Sequence, residues 1–133
     1  MKYLLDTNIC IYALNRRPAE VLERLRKISP DDVALSVVTL LELRQGAEKS
    51  QDPARTHRKL DLFLRPLRIL AFGEEAALHG ARLRAKLETQ GRPIGDLDSL
   101  IAAHALTEKL ILVTNNLREF ERVEGLRLEN WLE

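Results

Sequence analysis

The sequence predicts an α/β fold: three layers, α/β/α, around a mostly parallel central sheet of four to five strands. Three observations carry that expectation. Short apolar runs of three or four residues alternate with longer segments whose apolar residues recur at helical spacing. No hairpin signal joins the runs, so each strand returns through a crossover and pairs in parallel. The length, 133 residues at 45% hydrophobic and 31% charged, fits one globular domain (1–133) that can bury a core without staples.

The elements follow in order. Tyr3, Leu4 and Leu5 form a buried strand that stops at Asp6. Thr7 opens a helix through Ile9, Ile11 and Leu14. Pro18 suits the first position of a second helix, with Val21, Leu22, Leu25 and Ile28 on its apolar face. Pro30, Asp31 and Asp32 break it before a second strand, Val33 to Leu35. Ser36 and Val37 begin a third helix carrying Leu40, Leu41, Leu43 and Ala47. After a turn at Gln51 to Pro53, a fourth helix runs through Leu60, Leu62, Phe63 and Leu64. Ile69 to Phe72 reads as the third strand, ended by Gly73. Glu74 to Glu88 is a long amphipathic helix stopped at Gly91 and Pro93. Leu97 to Leu106 is helical and apolar nearly all round, hence a core helix. Leu110 to Val113 is the fourth strand and Leu126 to Leu128 the candidate fifth.

Composition excludes several classes. Twenty-one Lys and Arg against 20 Asp and Glu leave a net charge of +1, which argues against a bulk nucleic-acid binder but permits a basic rim around an acidic centre. Cys10 alone cannot make an internal disulfide or a Cys-rich zinc site, and it reads as inert core. No apolar run reaches the roughly 18 residues of a membrane span, and the start MKYLLDTN lacks a signal-peptide layout, so a cytoplasmic location with no membrane partner is expected.

In sheets of this kind the site lies at the carboxyl ends of the strands. Asp6 ends the first strand, Asn115 and Asn116 follow the fourth, and Glu42 lies on the helix entered from the second. Gly95, Asp96 and Asp98 open the helix that feeds the fourth. Carboxylates about 4 Å apart repel by roughly 4 kcal/mol at an effective dielectric of about 20, so a cluster of three calls for a cation. Oxygen donors without paired His or Cys point to Mg2+ or Mn2+ rather than zinc.

Each residue also has a plainer reading. Asp6 and Asp96 suit helix N-caps, and Asp96 suits a cap better than a ligand. Glu42 falls with Thr39, Gln45 and Gly46 on a polar helix face, while Gly46 leaves room for something to approach. Asp98 shares a stripe with Ile101, Ala102 and Ala105, an apolar face on which a charge needs a partner. Asn116 suits a turn, and its oxygen can orient a water at a metal. His57, His79 and His104 are isolated and read as surface or packing residues.

At these residues the chain resembles the PIN-domain ribonucleases, specifically the VapC toxins of toxin–antitoxin pairs. The segments that carry the resemblance are YLLDTNICIYAL, SVVTLLELRQGAEKS, PIGDLDSLIAAHAL and LVTNNLREFERVEGLRLENW, in order over nearly the whole chain. The resemblance implies a PIN-like fold and Mg2+ bound by Asp6, Glu42 and Asp98, with Asn116 in the slot where many relatives place a fourth acid. It implies hydrolysis of RNA phosphodiesters in single-stranded or loop regions, with tRNA as one substrate class. Thr7, Asp96, Thr114 and Asn115 are then expected to hold the carboxylates in place. Arg16, Arg44, Arg92 and Arg118, with Arg17 and Lys49, are expected to bind the RNA around an edge that would otherwise repel it. The family further implies a VapB-type antitoxin whose basic tail crosses the groove, a homodimer, and contact with DNA only through the antitoxin.

Two rivals stand beside this reading. A catalytically weak PIN-like module that binds RNA or protein takes its support from Asn116. A phosphatase of the haloacid dehalogenase type would need a second Asp two residues after Asp6, where Asn8 stands.

Overall fold

The computed structural model describes residues 1–132, so the domain reading 1–133 extends one residue, Glu133, beyond the described residues. The elements are β1 (Tyr3–Leu5), α1 (Thr7–Asn15), α2 (Ala19–Arg26), a 3-10 turn (Pro30–Asp32), β2 (Val33–Ser36), α3 (Val37–Glu48), α4 (Pro53–Leu64), β3 (Arg68–Leu70), α5 (Glu74–Thr89), α6 (Asp96–Glu108), β4 (Ile111–Val113), α7 (Leu117–Phe120) and β5 (Leu128–Glu129). The sheet runs β3-β2-β1-β4-β5, and all four pairings are parallel.

Alternation along the central strands builds the three layers, because successive side chains leave opposite faces of a strand. Tyr3, Leu5, Val33, Leu35 and Val113 meet Ile9, Cys10, Val21, Leu43, Leu60 and Trp131 on one face. Leu4, Ala34 and Leu112 meet Leu87, Ile101, Ala102, Ala105 and Phe120 on the other. Both faces are therefore covered, which is why β1 and β2 read as unbroken apolar runs.

Several boundaries differ from expectation for physical reasons. β3 begins at Arg68 rather than Ile69 and ends at Leu70; it is an edge strand whose Arg68 and Ile69 are exposed. β5 lies at Leu128–Glu129, shifted from Leu126 to Leu128, where Val113 pairs with Glu129. Pro18 caps α2 instead of opening it. Leu62 points outward from α4, 65% exposed, while Leu60 and Leu64 are buried. Thr39 is buried rather than on a polar face. The four-residue α7 was not anticipated.

The chain lays β2 and β3 on one side of β1 and β4 and β5 on the other. The order therefore switches between β1 and β4, and in sheets of this kind such a switch marks the site at the carboxyl ends.

Candidate active site

Asp6 leaves the end of β1 at that switch. Its amide donates to the Val113 carbonyl at 3.0 Å, and its Oδ1 accepts the Ile9 amide at 2.9 Å, so it caps α1 from the carboxyl end of β1. At 5% exposure its carboxyl is pushed up to about 6, chiefly by burial and further by the charge of Glu42, against a lowering hydrogen bond from Thr114. Thr114, fully buried at the end of β4, accepts the Asn116 amide on Oγ1 at 3.0 Å, which leaves its hydroxyl proton for Asp6. Glu42, half-buried on α3, accepts the Thr7 hydroxyl on Oε1 at 2.7 Å.

Asp98 lies in the first turn of α6, half-buried. Its carboxyl is pushed up to about 7, by burial first, then by a hydrogen bond and the charge of Glu119, then by Glu42 and Asp6. The charge of Glu42 thus raises the proton affinity of Asp6, and the charges of Glu119, Glu42 and Asp6 raise that of Asp98. Glu119 is the member that sequence reasoning missed. Its Oε1 accepts the Gly95 amide and its Oε2 accepts Nδ2 of Asn116, both at 2.7 Å. Asn116, expected in the slot of a fourth acid, donates to this fourth acid. The N-x-x-E spacing across the start of α7 was the available signal.

Other assignments resolve differently. Asp96 neither caps α6, whose N-cap is Gly95, nor supports the carboxylates; its exposed Oδ1 takes Nη2 of Arg84 at 2.7 Å. Asn115 donates to the Tyr12 hydroxyl at 2.9 Å, with its own Oδ1 buried and without a partner, so its amide ties β4 to α1 instead of holding an acid. Arg44 is engaged by Asp61 at 2.6 Å and by the His57 carbonyl at 3.3 Å. Arg16 caps α1 at its carboxyl end; Arg92 and Arg118 are exposed. His57 joins the network through Glu48, His79 binds Thr107, and His104 is a core residue.

Among the described residues no three His, Cys, Asp or Glu side chains already stand as a ready metal cage. As they lie, Thr7 occupies Glu42 and Glu119 occupies Asp98. The donor set nevertheless fits a hard divalent cation. It is all oxygen, none of Asp6, Glu42, Asp98 or Glu119 forms a salt bridge among the described residues, and burial first, with the charge of neighbouring acids, raises the pKa of Asp6 to about 6 and of Asp98 to about 7.

Comparison with known proteins identifies the family. The family model described as PIN domain matches residues 3–126. A tRNA(fMet)-specific endonuclease VapC of Shigella flexneri is 47% identical over 131 residues, 98% of each chain. Ribonuclease VapC2 of Haemophilus influenzae is 48% identical over 132 residues, 99% of each. The crystal structure of VapBC2 from Rickettsia felis, bound to a DNA fragment from their promoter, superposes with a TM-score of 0.92 at 42% identity, covering 98% of this chain and 99% of that one. The chain belongs to the PIN-domain family and, within it, to the VapC ribonucleases of toxin–antitoxin systems.

Proposed function

We propose that the protein is a Mg2+-dependent endoribonuclease, with Mn2+ as an alternative ion, that hydrolyses a structured RNA such as tRNA and is the toxin of a VapBC-type pair. The observation that carries this is the convergence of Asp6, Glu42, Asp98 and Glu119, from four parts of the chain, on one edge with no cation among their side-chain partners. Asp6, Glu42 and Asp98 would hold the ion, with Glu119 beside them. Bound there, it would lower the pKa of a water and neutralise charge developing on the scissile phosphate. Thr7 and Thr114 orient Glu42 and Asp6, and Asn116 with the Gly95 amide fixes Glu119. With Glu119 present, Asn116 no longer argues for an inactive module.

A VapB-type antitoxin is the expected partner. An apolar groove of about 260 Å³ beside Glu42, lined by Ile11, Leu14, Gly46 and Leu60, supports docking of a partner segment close to the acids. A Cβ on Gly46 would meet nothing within 4 Å, so the groove is open there. The exposed Val37, Leu41 and Leu97 support a homodimer, and contact with DNA is assigned to the antitoxin. No helix among the described residues is long and apolar enough to cross a membrane.

Sequencing of RNA ends after induced expression tests the reading. Wild-type protein should generate new ends in a structured RNA and arrest growth, and Asp98→Asn should do neither. The same ends from Asp98→Asn would remove that carboxylate from the chemistry.

A further inference from the structure

A second feature lies beside the acidic edge and has the opposite charge. A cleft of about 650 Å³ opens between α5, the loop 91–95 and the segment after α7. Along α5 the positions His79, Arg82, Lys86 and Gln90 advance by three, four and four residues, which places them in one row spanning about 16 Å. Arg92 and Arg122 reach the cleft from the other two sides, and Leu83, Leu87 and Leu106 form its apolar floor.

The charge does not cancel. Four cations, Arg82, Lys86, Arg92 and Arg122, face two carboxylates, Glu121 and Glu124. Glu124 is taken by Nζ of Lys86 at 2.6 Å. Arg122 spends one nitrogen on the Pro93 carbonyl, at 2.8 Å, and keeps its charge. Arg82 and Arg92 are exposed and form no salt bridge among the described residues, in contrast to Arg84, which Asp96 neutralises. Two guanidinium forks therefore stand free on the walls of one cleft, a geometry suited to phosphate oxygens.

Position selects the occupant. The loop 91–95 is latched from both sides: Gly95 donates to Glu119 of the acidic edge, and Pro93 accepts from Arg122 of the cleft. The two sites thus share one wall, the loop 91–95. The acidic edge repels a polyanion, so a substrate cut there needs anchorage close by. At about 3.4 Å per step of one strand, a 16 Å row spans several nucleotides.

We propose that this cleft holds backbone phosphates of the RNA on one side of the scissile bond, with Arg82 and Arg92 as the main contacts. The inference rests on the ribonuclease reading and extends it to a surface that the carboxylates do not require.

The test is binding of labelled unfractionated tRNA, followed by fluorescence anisotropy across a range of KCl, to Asp98→Asn protein with and without the pair Arg82→Ala and Arg92→Ala. The pair should weaken binding about tenfold at low salt and flatten the slope of log affinity against log salt by about 1.5, close to 0.7–0.9 for each lost phosphate. Replacing the same two residues by Lys should restore the slope, as a charge contact predicts and a packing role does not. Unchanged affinity and slope in the alanine pair overturn the proposal. So does displacement of tRNA by polyglutamate at equal charge concentration through these two arginines, which would make the cleft a reader of acidic peptide. Failure of wild-type protein to cut RNA with Mg2+ or Mn2+ counts instead against the functional reading, whereas normal cutting with unchanged binding counts against the cleft alone.

Discussion

Helix α6 carries two titratable groups six residues apart, His104 buried and Asp98 half-buried, and the molecule treats them in opposite ways. His104 is fully buried, its Nδ1 2.7 Å from the Ser36 hydroxyl and its ring edge-on to Phe72 with centroids 5.3 Å apart. Burial lowers its pKa and keeps the imidazole neutral, and a neutral neighbour suits it. Asp98 is also pushed toward its neutral form, by burial and by Glu119, Glu42 and Asp6, yet its neighbours are acids. At His104 the neutral state is the stable end point. At Asp98 it is a makeshift that a divalent cation would replace, so one end of α6 holds the core together while the other carries stored repulsion.

Substitution should expose that contrast with opposite signs. His104→Ala removes packing and the Ser36 contact and should cost about 2–4 kcal/mol in urea unfolding. Asp98→Asn removes a repelled charge and should leave metal-free protein as stable or more stable at pH 7.5. Loss of stability in Asp98→Asn comparable to that of His104→Ala would make Asp98 a structural residue.

A smaller effect is expected in the pH dependence of metal-free protein. Asp6 and Asp98 titrate at about 6 and about 7 when folded, against 3.8 for an unperturbed carboxyl. Between about pH 4 and 7 the folded chain therefore holds more protons at these groups than the unfolded chain, and their contribution to stability falls as pH rises through that window. His104, lowered when folded, contributes the reverse slope, losing stability as pH falls through the ordinary histidine range. Subtracting Asp98→Asn from wild type isolates the part that depends on Asp98. A difference that is flat from pH 4 to 7 contradicts the mutual repulsion.

The smallest effect belongs to Asn116→Ala, which frees Glu119 Oε2 without removing an acid. Cleavage should fall about tenfold with a stability change near 1 kcal/mol. A loss as large as that of Asp98→Asn would assign Asn116 a direct part in the chemistry.

Much of the fold was legible because its central strands are covered on both faces. Tyr3 to Leu5 and Val33 to Leu35 show unbroken apolar runs that only a buried parallel strand explains. Edge strand β3 was misplaced because two of its three residues are exposed, and α7 is too short to show a period. Asp6 and Asp98 were placed at one edge by the strand that one ends and the helix that the other opens, and Glu42 by the helix entered from β2. Glu119 was hidden because its partner Gly95 is 24 residues away in sequence. The pairing of Arg44 was hidden for the same reason: its carboxylate, Asp61, lies 17 residues on, across the gap between α3 and α4. Pairing across that distance leaves no trace in spacing.

The most direct measurement is calorimetric titration of Mn2+ into metal-free protein near pH 6.5, repeated in buffers of different ionisation enthalpy. Asp98 is then largely protonated, and an ion bound among these carboxylates must displace that proton. Wild-type protein should bind with release of about one proton per ion, and Asp6→Asn with Asp98→Asn together should abolish both binding and release. Binding without proton release, or equal binding by the double variant, would contradict a metal site at this edge.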